Sequence, residues 1–361
     1  MPSAPIKGRG AVTNRPGRFE RGDRPREDDG WNIGTELAEE RPETTVTLDA
    51  SRRIIARNES PDLGFDRSIN PYRGCEHGCV YCFARPTHAW LGLSPGLDFE
   101  TRLFAKPAAA ERLREELADP RYKPAVMALG TNTDPYQPVE RRLGITRQIL
   151  EVLAECRHPV SIVTKSALVL RDIDILSAMA KDGLASVTLS VTTLDAALAR
   201  RMEPRAPAVV RRLEAIRELS AAGIPTGALV APVIPAINDM EIERILDAVS
   251  AAGATSAGYV LLRLPLEIKD LFDEWLAAHY PQRATRVMAL IRDTRGGQAY
   301  DSRFGVRMKG EGPYAEMIKR RFALACRRLG LERRNIELRT DLFRAPRRKP
   351  DRQLSLFADS A

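Results

Sequence analysis

The sequence predicts an α/β fold built on a parallel sheet, and three observations carry that expectation. From Arg67 onward, short β-rich runs alternate with longer amphipathic segments, the pattern of strand–helix–strand units with right-handed crossovers. Gly183, Gly223 and Gly253 each follow a helical pattern, where a C-terminal cap belongs. With 361 residues and 43% apolar content, the chain can bury a large core, as two domains or one barrel.

The elements follow in order. Residues 1–49 are rich in Arg, Pro, Gly and acidic residues and lack periodicity, so they cannot bury enough surface to fold alone. They are expected to be disordered or draped over the core, within a flexible extension over 1–60. Strands are predicted at 68–72, 125–130, 160–165, 186–192, 226–233 and 258–262. Helices are predicted between them, among them 145–156, 173–180 and 208–222. The α/β core spans 61–265, followed by a helical extension over 266–340 and a basic tail over 341–361. The longest apolar run, 223–237, is broken by Pro225, Pro232 and Pro235 and is too short to span a bilayer.

Chemistry concentrates in the run Gly74-Cys75-Glu76-His77-Gly78-Cys79-Val80-Tyr81-Cys82. Three closely spaced thiolates are an incomplete ligand set for a cube of four irons, which prefers four sulfur donors. One iron keeps an open position, as catalytic metal sites do. A structural zinc site with His77 or His88 as fourth ligand is the alternative, although zinc ribbons pair two Cys-x2-Cys knuckles and this chain has no second one. A disulfide fits less well. Five cysteines is an odd number, and residues 1–23 hold no apolar run that could act as a signal peptide. The thiols are expected to stay reduced, as in a cytoplasm.

The spacing Cys75-x3-Cys79-x2-Cys82, with Tyr81 in the aromatic slot, resembles the signature of the radical S-adenosylmethionine (SAM) superfamily. The resemblance implies a [4Fe-4S] cluster held by Cys75, Cys79 and Cys82, with SAM on the open iron and the Tyr81 ring against its adenine. It also implies a partial (β/α)6 barrel, open on one side, with the cluster loop after strand one. The chemistry implied is reductive cleavage of SAM and hydrogen abstraction from a substrate, fed by a donor such as flavodoxin or ferredoxin.

The predicted strand ends carry further candidates. Strand two ends in Gly130-Thr131-Asn132-Thr133-Asp134, polar groups suited to the SAM amino group, although Thr and Asp also cap helices. Strand three ends at Lys165, able to neutralise the SAM carboxylate, and strand four carries Ser190. Thr133-Asp134, Lys165 and Ser190 are similar in spacing to the SAM-binding set of the spore photoproduct lyase branch. That branch has a hydrogen-donating cysteine three residues before the aspartate, where this chain has Thr131. Repair of spore photoproduct by that route is therefore placed in doubt.

Other reactive residues read as structural. Cys156 falls on the stripe of Ile149, Val152 and Leu153, and Cys326 on that of Ile318, Phe322 and Leu329. His158 and His279 have no partners in sequence. Tyr136 and Tyr314 are candidate radical relays, read more simply as packing residues with bonded hydroxyls. Glu203-Pro204-Arg205 either closes the cofactor pocket or stops a helix.

The net charge of +8 is unevenly placed: residues 319–352 hold 13 Lys/Arg and 4 Asp/Glu, a local +9. A basic end is the footprint of a polyanion, here nucleic acid and foremost DNA, or simply a solvated charged face. A radical enzyme acting on RNA would use the same end. Gln353, Leu354, Leu356 and Phe357, beyond the breakers Pro346 and Pro350, resemble the bacterial sliding-clamp binding motif, which implies that partner. A third alternative is a non-catalytic iron–sulfur adaptor recruited to the sliding clamp.

Overall fold

The structure is a computed structural model that describes residues 5–20, 43–331 and 337–346. Six parallel strands follow one another across one sheet: β1 (Arg67–Ile69), β2 (Met127–Leu129), β3 (Val160–Thr164), β4 (Ala185–Ser190), β5 (Thr226–Val233) and β6 (Ser256–Leu261). Their registers start from Arg67 opposite Met127, Met127 opposite Val160, and Val160 opposite Ala185. The strands are nearly all buried, as expected for parallel sheets covered by helices. β6 pairs only with β5, and on its other edge β1 pairs antiparallel with Ile55–Arg57. The sheet is therefore a partial barrel and does not close.

Helices wrap its outer face: α1 (Ala109–Leu117), α2 (Ile145–Glu155), α3 (Ile173–Lys181), α4 (Val209–Ala221) and α5 (Ile242–Ala251). Each predicted helix is found within two residues of its expected ends. Gly223 and Gly253, with φ of 76° and 100°, take the left-handed cap positions their spacing predicts.

Two expectations need correction. The first strand ends at Ile69, short of residue 72, because Pro71 has no N–H to continue the ladder. Tyr72–Arg73 instead pairs antiparallel with Arg102–Ala105, which also pairs in parallel with Thr45–Leu48. Residues 43–57, placed by composition in a flexible extension, thus contribute two short strands. The N-terminal stretch 5–20 is draped over the core, tied by polar contacts described below.

The extension after β6 is helical: α6 (Ile268–His279), α7 (Pro281–Asp293) and α8 (Gly312–Leu329). α8 buries Ile318, Phe322, Ala325 and Cys326 against α5 and pairs with it through Arg321–Glu243 and Arg328–Asp247. With Lys319–Glu316 and Arg339–Asp341, four of its described cations are ion-paired, so the basic segment is partly neutralised within the fold. A second apolar core joins Val80 and Tyr81 to Met202, Leu262, Phe272 and Trp275. The open flank of the barrel is bridged by Asp62, which accepts from Gly305 N (2.7 Å) and Arg307 Nε (2.6 Å). Among the described residues no helix is long and apolar enough to cross a membrane. Gln353, Leu354, Leu356 and Phe357 lie outside the described residues.

Candidate active site

Strand β1 delivers the chain to the C-terminal end of the barrel, where residues 74–82 form a loop gripped from several sides. Gln137 spans it, accepting from Glu76 N (2.9 Å) and donating to the Gly74 carbonyl (3.2 Å). Arg85, fully buried, donates to the carbonyls of Gly78 (3.1 Å), Cys79 (2.8 Å), Pro95 (3.0 Å) and Gly96 (2.8 Å) and pairs with Glu100. The Glu100 carboxylate also accepts from Gly10 N (3.0 Å) and Ala11 N (2.8 Å), which fastens the N-terminal stretch across the loop. Arg205 donates to Glu76 (2.9 Å) and, through its backbone N–H, to the His77 carbonyl (3.3 Å). Three of these charged bonds land on the loop itself, from Arg85 to Gly78 and Cys79 and from Arg205 to Glu76, each worth on the order of 1.5–3 kcal/mol when buried.

The three thiols are free, with Cys75 and Cys79 buried and Cys82 half-buried. Burial, then the charges of Asp134, Cys79 and Cys82, pushes the Cys75 thiol well up. Burial pushes Cys79 up to about 12, helped by Glu203 and Cys82 and opposed by Lys165. Cys75 and Cys79 each feel the charge of neighbouring thiols, and a cationic core would favour them as thiolates. That donor set fits an iron–sulfur cube. His77 Nδ1 is 3.3 Å from Asp134 and His88 Nε2 is 3.0 Å from the Arg102 carbonyl, while His77 Nε2 and His88 Nδ1 are buried without a hydrogen-bond partner among the described residues. Among the described residues no three Cys, His, Asp or Glu side chains are gathered to hold a single ion.

Around this loop stand the other strand ends. The Tyr81 hydroxyl donates to the buried Glu203 carboxylate, which also accepts from Thr192 Oγ1 (2.6 Å) and from Arg212. Burial opposes the charge on Glu203, but Arg212 and Lys165 hold its carboxyl at about 2. Arg212 in turn donates to the Ser190 carbonyl (3.2 Å). The Lys165 ammonium lies 5.7 Å from the centre of the Tyr81 ring. Burial acts to discharge it, yet Cys79 and Glu203 keep its pKa above the ordinary value. Neither the Lys165 ammonium nor the Ser190 hydroxyl makes a hydrogen bond among the described residues.

Thr133 and Asp134 are engaged otherwise. The Thr133 hydroxyl is buried and donates to the Tyr72 carbonyl (3.0 Å). Asp134 accepts from Thr164 Oγ1 (2.6 Å), Lys165 N (2.8 Å) and Tyr136 N (2.9 Å) and faces His77. Burial works against its charge, but His77 and those donors hold it at about 2. Thus Asp134 joins the strand-two and strand-three ends to the cluster loop.

Helix Ala196–Met202 stops at Glu203, as one of the two readings predicts, and the Glu203 carboxylate accepts from Tyr81. Arg85, Glu100, Gln137 and Arg212 went unnoticed. A signal existed for Arg85, the lone charged residue between Glu76 and Asp98 apart from two histidines. Tyr136 donates to Asp172 (3.1 Å) and Tyr314 to Asp239, so both hydroxyls are partnered. Cys156 and Cys326 sit in the main core. His158 is buried between the Tyr122 hydroxyl (2.7 Å) and the Pro159 carbonyl (3.0 Å), and the ring of His279 lies 5.3 Å from that of Trp275.

Comparison with known proteins agrees with this geometry. The sequence profile of the Radical SAM superfamily matches residues 69–249, half of the chain. An uncharacterized protein of Mycobacterium bovis is 38% identical over 242 residues, covering 66% of this chain and 71% of that one. An uncharacterized protein of Methanocaldococcus jannaschii is 28% identical over 217 residues, 59% of this chain and 76% of that one. Among solved structures, a spore photoproduct lyase variant with bound AdoMet and dinucleoside spore photoproduct has a TM-score of 0.54 at 13% identity, covering 79% of this chain and 78% of that one. The last likeness is one of fold.

Proposed function

The chain belongs to the radical SAM superfamily, and from that premise we propose that it modifies or repairs nucleic acid, foremost DNA. The enzyme uses a [4Fe-4S] cluster and SAM. When bound, the two supply reductive cleavage of SAM and a 5′-deoxyadenosyl radical able to abstract hydrogen.

We assign the residues as follows. Cys75, Cys79 and Cys82 hold the cluster. Lys165 and Ser190, whose polar ends are free at the barrel mouth, bind the charged and hydroxyl groups of SAM. Tyr81, fixed by Glu203, offers its ring to the adenine. Thr133 and Asp134 act at one remove, by joining strand ends to the cluster loop. Arg85, Gln137 and Arg205 keep that loop in place.

One observation carries the substrate class. Beside the third cysteine, Phe83 is 43% exposed with the Arg263 guanidinium 5.1 Å above its ring. Arg263 also reaches Tyr300 Oη (3.3 Å), and nearby Phe304 is exposed under Arg307. Exposed rings interleaved with arginines are suited to stacking unpaired bases and holding phosphates. The shared fold with spore photoproduct lyase supports the same class. Thr131 has no thiol to return hydrogen, so the lyase's own route is set aside. We place the enzyme in the cytoplasm, where thiols stay reduced and a flavodoxin- or ferredoxin-type donor is at hand.

The test is anaerobic: reconstituted protein with dithionite and SAM, with and without irradiated DNA, following 5′-deoxyadenosine. Formation stimulated by DNA, with binding that weakens steeply as salt rises, is expected. Stimulation by structured RNA alone, or none by any nucleic acid, overturns the substrate assignment.

A further inference from the structure

A cleft of about 360 Å³ lies under the N-terminal stretch, beside helix Ala196–Met202. Its polar lining is Lys7, Arg9, Arg200, Arg201 and His279, and no carboxylate lines it among the described residues. Lys7, Arg200 and Arg201 are exposed and make no ion pair among the described residues. What sets the cleft apart is that three such cations share one concavity with no carboxylate in its described lining.

The cleft also has a particular position. Pro204 lines it and touches the cluster loop: a β-carbon on Gly78 would sit 3.3 Å from Pro204 Cγ. Val80 N donates to the Met202 carbonyl (3.1 Å), at the end of the same helix. That helix turns Leu198 and Met202 inward to the core beneath the loop, and Arg200 and Arg201 outward to the cleft. Pro204 thus links the cleft to Gly78, the residue before Cys79. Lys165, Ser190 and Arg263 do not line this cleft.

We propose that this cleft docks the acidic edge of a one-electron carrier protein, a reading that rests on the radical chemistry above. The carrier loses one electron and the cluster gains one; no atom is transferred. Cys75 and Cys79 are buried and Cys82 half-buried, so an electron bound for Cys79 enters through protein, and Pro204–Gly78 is one contact path to it. Uncompensated cations at that entrance select and steer an acidic partner. Nucleic acid is also acidic, but docking behind the loop would not bring a base to the mouth.

The experiment compares reconstituted wild type with the triple variant Lys7→Glu/Arg200→Glu/Arg201→Glu. It measures affinity for oxidised flavodoxin at low and high salt, without turnover, and for duplex DNA. It also follows 5′-deoxyadenosine formation driven by flavodoxin with its reductase, and separately by dithionite. The expected result is flavodoxin affinity lowered at least about tenfold in the variant and lowered by salt in the wild type. The flavodoxin-driven rate should fall by a similar factor while the dithionite-driven rate holds. Unchanged flavodoxin affinity overturns the proposal, as does loss of DNA affinity with the flavodoxin-driven rate intact. A wild type inactive with dithionite would count against the radical reading instead, and the binding arm would still judge the cleft. Should the triple variant take up less iron, Arg200→Gln/Arg201→Gln gives the same comparison with a smaller expected loss.

Discussion

Gly10 packs so closely on Gly78 that a β-carbon at position 10 would lie 1.7 Å from the Gly78 carbonyl oxygen. The obstacle is backbone, itself held by Arg85, so it cannot swing aside. Gly10→Ala should therefore lift the N-terminal stretch from Glu100 and loosen the cluster loop. The expected outcome is a melting temperature lower by several degrees, from a loss of about 1–3 kcal/mol. Faster iron loss to a chelator should accompany it, and a variant matching wild type in both would show the contact to be adjustable.

Removing one thiol leaves the cube a ligand short. Cys79→Ala should lose the absorption of the reconstituted cluster and all SAM cleavage, while Cys156→Ala, a core change, should keep both. Cleavage retained in Cys79→Ala would sink the ligand assignment.

Lys165→Met keeps the length of the side chain and deletes its charge. A charge-assisted bond is worth about 1.5–3 kcal/mol, so SAM affinity should drop roughly 10- to 100-fold at unchanged iron content. Equilibrium binding of SAM to the reconstituted protein decides it, and an unaltered dissociation constant would remove Lys165 from the site.

His158 gives a prediction for pH. Burial lowers its pKa from 6.5 to about 4, opposed by the bond to the Pro159 carbonyl and aided to a lesser extent by Arg67. Its folded value lies below its unfolded one, so the unfolded chain binds the extra proton. Stability from this residue is complete above about pH 6.5 and is lost as pH falls toward 4. The loss amounts to about 3 kcal/mol. His158→Phe should flatten that limb of the denaturation midpoint against pH. An equally steep limb in the variant would assign the loss to other groups.

Much of this was legible in the chain. Periodicity located the six strands and the helices between them, because buried parallel strands and amphipathic helices leave different apolar patterns. The three cysteines and Tyr81 were legible because covalent spacing alone brings them together. Lys165 and Ser190 were found as polar residues ending apolar runs. Glu100 and Arg85 were not, since a buried ion pair looks like surface charge until its partner is known. Thr133 and Asp134 stand at the end of the second strand, as their place in the sequence predicts. Their bonds run to Tyr72, Thr164 and His77, contacts between loops that no local pattern encodes. The edge strand Ile55–Arg57 escaped notice because three residues are too few to show alternation.

Asp62 bridges to Gly305 and Arg307 across about 240 positions of chain. A ribosome making this protein releases the cysteine loop early and the closing wall last. The three cysteines therefore leave the ribosome long before the partners that Asp62 ties to the opposite flank exist, and that tie can form only once Arg307 has emerged.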